Sequence, residues 1–288
     1  MVKVLLKMII KKGMKMPQIN ASIVLYHNKR EQLKKVIDSF LGTQLDVQLY
    51  LVDNSADDAL KDLATLDSRI IYIFNNANVG YGAGHNVALA KSIEEGVAYH
   101  VVLNPDLFFE SKVIDNLYNY MQEHPEVGNI MPKILYPDGE NQYLAKLLPT
   151  PLDWILRRFL PAKFTKNMTN KFELRYTGYD KIMNVPFLSG CFMFFRVDAL
   201  KDVGLFDESI FMYMEDIDIN RRIHAKYKTL YYPDVSVYHE YERGSHKNFK
   251  LLLISIESSI KYFNKWGWIF DKERKTMNEK LLKETHYE

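Results

Sequence analysis

The acids Glu215, Asp216 and Asp218 fall within four residues, at the start of a stretch whose apolar spacing predicts a helix to about residue 225. The helix dipole favours carboxylates there, and Asp218 can pair with Arg222 one turn on, which accounts for the charges without any function. Adjacent residues on a helix point about 100° apart, so one acid of the Glu215-Asp216 pair can face a pocket while the other is held elsewhere. A carboxylate facing an enclosed cleft is a candidate general base. Two further acids end predicted strands: Asp53 in Asp53-Asn54-Ser55, and Asp106 in Asn104-Pro105-Asp106. A strand-end carboxylate suits hydrogen bonding to a nucleobase or ribose, or holding a divalent cation against phosphate oxygens. Ordinary turn chemistry explains both equally well.

Between these acids lies the glycine turn Asn78-Val-Gly-Tyr-Gly-Ala-Gly84. Gly80, Gly82 and Gly84 let backbone N–H groups approach a ligand at a helix start, a suitable seat for a diphosphate, with His85 and Asn86 as extra donors. The alternative is a plain helix entry. The turn is not the dinucleotide fingerprint, which should follow the first strand; there the chain reads Tyr26-His27-Asn28-Lys29, without glycine. His239, 23 residues past Asp216, is a lone strand-end histidine of a kind more often structural than ligating.

The elements that must position these residues follow an alternating rhythm. Strands are expected at 21–26, 47–52, 70–74 and 99–103, with helices at 29–41 and from the glycine turn to about 95. This is the pattern of βαβ units in a mainly parallel α/β sheet, whose ligands bind beyond the carboxyl ends of the strands. Residues 136–185 lose the rhythm and read as an insertion over the active face. Between residues 144 and 171 they carry Lys146, Arg157, Arg158, Lys163, Lys166 and Lys171 against Asp153 alone. Strand-like 191–195 resumes the core, and the tail beyond residue 246 reads as helical and basic near its start. The expected organisation is a basic extension over 1–16, a catalytic domain over 17–245 divided at 135 and 185, and a helical tail over 246–288.

Composition bounds the partners. The 288 residues carry 38 Lys and Arg against 36 Asp and Glu, a net charge of +2, which argues against a dedicated nucleic-acid binder. One cysteine, Cys191, permits no intrachain disulfide and no thiolate metal cage, so a reducing, cytoplasmic compartment is expected. No apolar run reaches the roughly 18 to 20 residues of a membrane span. Residues 1–16 hold five lysines and no acid around apolar residues; a membrane-surface helix competes there with a frayed terminus and with an artefactual upstream start.

Taken in order, Tyr26-His27-Asn28, Val52-Asp53-Asn54-Ser55, Asn78-Val79-Gly80-Tyr81-Gly82, Leu103-Asn104-Pro105-Asp106, Ser189-Gly190, Gly204-Leu205-Phe206-Asp207, Phe211 through Asp216 and the late His239 closely resemble the family 2 inverting glycosyltransferases. Within them the chain looks most like bacterial rhamnosyltransferases of O-antigen and cell-wall synthesis. The resemblance covers about residues 19–262. It implies a GT-A fold, a Rossmann-like, mainly parallel sheet with helices on both faces, and a nucleotide-sugar donor, most of all dTDP-β-L-rhamnose. It also implies single-displacement inversion at the anomeric carbon. Asp216 then matches the catalytic base and Asp53 the nucleobase-binding aspartate. Tyr26, Asn78, Gly80, Gly82, His85, Asn104 and Glu215 fall beside the donor. Asp106 matches the last aspartate of the D-x-D metal motif and His239 a histidine completing the site for Mg²⁺ or Mn²⁺. Asn104 stands where the first aspartate belongs, a departure that weakens the expected metal site. Acceptors in this group are often sugars on a polyprenyl diphosphate, which gives the basic, aromatic insertion a possible place on an anionic membrane surface. A solvated basic face, another donor such as a UDP-hexose or galactofuranose, and a sugar-nucleotide binder without catalysis are the competing expectations.

Overall fold

The computed structural model describes residues 17–240 and 249–287; the basic extension over 1–16 lies outside them. In chain order the strands are β1 (Ile19–Leu25), β2 (Val47–Asp53), β3 (Ile70–Phe74), β4 (Tyr99–Leu103), β5 (Leu107–Phe108), β6 (Val127–Leu135), β7 (Ala145–Lys146), β8 (Met183–Asn184), β9 (Phe187–Leu188), β10 (Phe192–Arg196) and β11 (Lys228–His239). The helices are α1 (Arg30–Leu41), α2 (Tyr81–Glu95), α3 (Lys112–Glu123), α4 (Pro151–Phe159), α5 (Ala162–Phe172), α6 (Val197–Val203), α7 (Glu215–His224), α8 (Phe249–Trp266) and α9 (Lys272–Glu284).

The main sheet runs β3-β2-β1-β4-β10-β6-β11-β5, with β8 paired to β11, and β7-β9 form a separate small ribbon. β3, β2, β1 and β4 are mutually parallel, β10 is antiparallel to both neighbours, and β6 and β11 are parallel again. The chain therefore leaves β1 toward one edge and returns to its other side at β4. That reversal opens a crevice past the carboxyl ends of β1 and β4, where open α/β sheets bind ligands.

β1 is covered on both faces, so its residues are almost all buried, as expected of a central parallel strand. Its two polar members are engaged. Asn20 Nδ2 donates to Ser92 Oγ at 3.0 Å and Glu95 Oε2 at 2.7 Å, while Ser22 Oγ lies 2.7 Å from His85 Nδ1 and 2.8 Å from His100 Nε2. Against the other face, α1 lays its Leu33, Val36, Ile37 and Phe40 stripe, spaced for one helical side and fully buried. This rigid β1–β4 pair fixes the strand ends that carry the site.

Two elements of the tail bind back to the catalytic half. Asp218, wholly buried in α7, accepts from Arg222 Nε at 2.9 Å and Trp266 Nε1 at 2.8 Å. Arg221, also buried, forms a two-pronged pair with Asp271 at 2.7 and 2.5 Å and stacks its guanidinium 4.0 Å from the Trp266 ring centre. The helical tail is thereby part of the folded core.

Candidate active site

A cleft of about 600 Å³ lies at the β1/β4 crossover, within the size range of small-molecule sites. Tyr26, Asn54, Asn78, Gly80, Asn104 and Asp106 line it from the sheet side, and the 211–213 segment and the first turns of α8 close it. Tyr26 is half exposed at the β1 end.

The glycine turn is built by close approach. Gly80 has φ +93 and ψ 177, a region essentially reserved for glycine, and a Cβ there would lie 2.3 Å from the Phe211 carbonyl oxygen. That same carbonyl accepts from Tyr81 N at 2.9 Å, so the turn and the 211–213 segment are sewn together. Asn54 joins them to β2: its Nδ2 donates to Gly80 O at 3.0 Å and its Oδ1 accepts from Asn75 Nδ2 at 2.8 Å. Asn78 Oδ1 accepts from Gly80 N at 3.2 Å. Gly82 serves packing, since a Cβ would meet the Phe206 Cβ at 2.9 Å.

His85 lies elsewhere than expected. It is completely buried under α2 and bonded to Ser22, four residues into the helix and therefore on the face turned to the sheet, so it offers no donor to the cleft. Burial, and then the neighbouring His100, hold its pKa far below the usual imidazole value, so it stays neutral. Asp53 is also fully buried and already engaged, accepting from Ser55 N at 2.8 Å and Tyr72 Oη at 2.7 Å; the adjacent Asn54, not Asp53, lines the cleft.

From Tyr81, which lines the cleft, a chain of hydrogen bonds leads to Asp216. Tyr81 Oη lies 3.1 Å from Asn104 Oδ1 and 2.5 Å from Gly190 O, and Gly190 N donates to Asp216 Oδ2 at 2.9 Å. Asp216 Oδ1 accepts from Ile217 N, also at 2.9 Å. Glu215 is more deeply buried and its Oε2 has no hydrogen-bond partner among the described residues. Burial and then the charge of Asp216 push the Glu215 carboxyl well above its usual pKa. Burial raises Asp216 too, opposed by its two backbone donors. The donors decide the split: the pair holds one charge, on Asp216, while Glu215 keeps its proton. Tyr213 and Met214, immediately before, both have positive φ, 69 and 73, a strained entry that sets the first turn of α7. Lys146 of β7, which the sequence offered only as one base of a basic stretch, is a half-buried cation whose field reaches Asp216.

Asp106 and His239 meet across β5 and β11, with Oδ1 and Nε2 3.2 Å apart. Gln142 sets the histidine tautomer. Its Nε2 donates to Leu135 O and His239 O, so its Oε1 must face His239 Nδ1, 3.0 Å away, and that nitrogen carries the hydrogen. The Nε2 lone pair then points at a carboxylate oxygen, an arrangement that a shared proton or a divalent cation relieves. Asp106 and His239 thus fit a cation site, although no cluster of three or more His, Cys, Asp or Glu ligands occurs among the described residues. Asn104 does not join it in place of an aspartate; it is held by Tyr81 and by Cys191 O, which accepts from its N–H at 2.9 Å.

With this geometry the comparison with known proteins is decisive: the family profile described as "Glycosyl transferase family 2" matches residues 22–204. The chain belongs to glycosyl transferase family 2. This family 2 chain is 29% identical over 209 residues to an N-acetylglucosaminyl-diphospho-decaprenol L-rhamnosyltransferase of Mycobacterium tuberculosis, covering 69% of this chain and 68% of that protein. It is 23% identical to the rhamnosyltransferase WbbL of Escherichia coli, covering 78% and 84%. Among solved structures it resembles the mannosyltransferase PcManGT of Pyrobaculum calidifontis, in complex with GDP-Man and Mn²⁺, with TM-score 0.57 and 15% identity over 88% of this chain and 64% of that one. The GT-A fold expected from the motif order is the one found. Tyr81, the Phe211 carbonyl and Lys146 are site groups that motif reading passed over; no local pattern distinguishes them, because each acts through contacts with residues 23 or more positions away.

Proposed function

We propose that this glycosyltransferase moves L-rhamnose from dTDP-β-L-rhamnose to a hydroxyl of a lipid-linked saccharide, with inversion. The observation that carries this reading is the Asp216 carboxylate, oriented by the Gly190 and Ile217 backbone N–H groups at the end of a hydrogen-bond chain that starts from Tyr81 in the cleft lined by Asp106. Asp216 takes the proton of the acceptor hydroxyl as its oxygen bonds to C1. The C1–O bond to the diphosphate breaks on the opposite side and the diphosphate leaves with both electrons. The N-terminus of α2, behind Gly80, faces the charge that develops there. A divalent cation, Mg²⁺ or Mn²⁺, held by Asp106 and His239 would supply further positive charge to the leaving group. Tyr26, Asn78 and Gly80 border the donor, and Asp53 acts on the nucleobase side through the turn it braces. The rhamnosyl donor and the lipid-linked acceptor are supported by what the mycobacterial relative is named for, and such an acceptor places the enzyme peripherally at a membrane surface, with its catalytic face in the cytoplasm. No helix among the described residues is long and apolar enough to cross a membrane.

The test is incubation with dTDP-rhamnose, UDP-hexoses and a galactofuranosyl donor, with and without Mg²⁺ or Mn²⁺, on a synthetic GlcNAc-diphospho-lipid. A product heavier by one deoxyhexose, formed from the dTDP donor alone, is expected. Product from UDP donors only, or from none, would overturn the assignment, the latter in favour of a binding protein without catalysis.

A further inference from the structure

A second cavity, about 590 Å³, separates the insertion helices from the tail, with Met168 and Phe172 on one side and Ile269, Phe270 and Leu282 on the other. On its tail side Phe270 is 94% exposed and Ile269 79%; on the insertion side Leu152, 63% exposed, adjoins the lining residue Asp153, and Phe164, 69% exposed, stands one helical turn before the lining residue Met168. Apolar exposure gathered at one place in this way marks a contact surface.

The tip that carries Ile269 and Phe270 is held in place from beneath. The next residue, Asp271, is buried, caps α9 by accepting from Arg274 N at 2.9 Å, and holds Arg221 of α7 through its two-pronged ion pair. The exposed side chains therefore project from a fixed backbone, and docking them requires little ordering of the chain.

The charges beside the tip are of one sign where they are unpaired. α5 has Lys163, Lys166 and Lys171 and no acid. Lys163, Lys166 and Lys272 are exposed and make no ion pair among the described residues. The neighbouring acids are engaged: Asp153 closes the α4 capping box, Glu273 pairs with Arg221 and Glu279 with Lys275. Arg157, one of the bases the sequence offered for such a rim, is used internally, with its guanidinium 3.4 Å over the Phe172 ring. We infer that Ile269, Phe270, Phe164 and Leu152, with Lys163, Lys166 and Lys272, form the surface by which this chain docks on an anionic phospholipid bilayer. Apolar tips enter the interfacial layer while lysines meet lipid phosphates, the combination used by peripheral membrane proteins. The inference deepens the lipid-linked-acceptor reading and rests on it for its purpose.

Vesicle binding is measured apart from sugar transfer, so either can fail alone. The whole chain is sedimented with phosphatidylcholine vesicles containing or lacking phosphatidylglycerol. Wild type is expected to bind the anionic vesicles, with a blue shift of the Trp268 emission that Trp268→Phe removes. The double variant Ile269→Ser/Phe270→Ser should bind at least about tenfold more weakly. Lys163→Glu/Lys166→Glu should lose roughly fivefold for each lysine and its dependence on phosphatidylglycerol. Both should keep the wild-type melting point and turnover of a short-chain, water-soluble acceptor, because these side chains are exposed and outside the cleft. Absence of binding by wild type, or binding unchanged in both variants, overturns the inference. So does a dimer, seen by sedimentation velocity, that Phe270→Ser dissolves. Binding lost in the variants of a chain that transfers no sugar would retain this surface and remove the rhamnosyltransferase reading.

Discussion

Asp216→Asn isolates the proton-transfer role because it changes charge and basicity while leaving size almost unaltered. Loss of a positioned general base costs about 10² to 10⁴ in rate, or about 3 to 5 kcal/mol of barrier. The structural side effects are small and opposed. Asp216 accepts from both Gly190 N and Ile217 N, and an amide can accept with only one of its two ends. One backbone N–H then faces an NH₂ group, at a cost of about 1 to 3 kcal/mol. Against this, the variant removes a charge that burial already disfavours. The melting point should therefore move by only a few degrees, given roughly 2 to 4 °C per kcal/mol for a chain of this size. The assay is initial-rate transfer by mass spectrometry, with donor affinity by calorimetry and melting by circular dichroism. Expected are a rate lower by at least about 10²-fold, donor affinity within a few-fold of wild type, and a pH profile without the wild-type acid limb. That limb in the wild type should lie above the ordinary carboxylate range, because burial raises the Asp216 pKa and the base must be ionised to act. Turnover within about fivefold of wild type refutes the reasoning, and parallel collapse of donor affinity would make Asp216 a binding rather than a catalytic group.

Glu215→Gln tests the assignment of the shared charge: a group whose folded pKa is raised destabilises the fold as pH climbs from its unfolded value toward its folded one. The variant should melt higher than wild type on the alkaline side, by about 2 to 4 °C per kcal/mol recovered, with transfer retained within about tenfold; an unchanged slope of melting point against pH between 5 and 9 would contradict it. Gly80→Ala should cost about 2 to 4 kcal/mol by chemical denaturation, from forbidden φ and the lost Tyr81–Phe211 hydrogen bond, and should weaken donor binding at least tenfold. Arg221→Met removes the two-pronged partner of the buried Asp271 carboxylate, leaving it Arg274 at 3.6 Å, and should destabilise by up to about 3 to 5 kcal/mol in the same assay. His239→Gln should flatten the response of transfer rate to added Mn²⁺; an unchanged metal titration would remove His239 from the cation site.

The parallel half of the fold was legible because its signals are local. The runs at 47–52, 70–74 and 99–103 reappear as β2, β3 and β4 within a residue, and the α1 stripe is buried as its spacing requires. Such periodicity records which side of each element faces the core, and that is a property of the segment itself. The second half was less legible. β11 runs unbroken from Lys228 to His239 although Pro233 and Asp234 are poor residues for a strand interior, and its pairing with β6 shifts between Tyr232 and Ser236, so a bulge absorbs them. Antiparallel β10 likewise gave no sign of its direction, which is set by the strands on either side.

The same division holds for the site. By itself the sequence determined the α/β class, the strand ends that carry Asn104 and Asp106, the glycine turn, and Glu215 and Asp216 as neighbours at a helix start. Tertiary structure decided what those groups do. It turned His85 into the core, where burial and then His100 keep it neutral, and enclosed Asp53 between Ser55 and Tyr72. It also separated the two acids of one dipeptide into a protonated Glu215 and a charged Asp216, because only Asp216 is reached by the Gly190 and Ile217 N–H groups. Residue type and spacing fix which donors and acceptors exist. Burial and the partners brought from distant strands fix which of them are charged and which face the cleft.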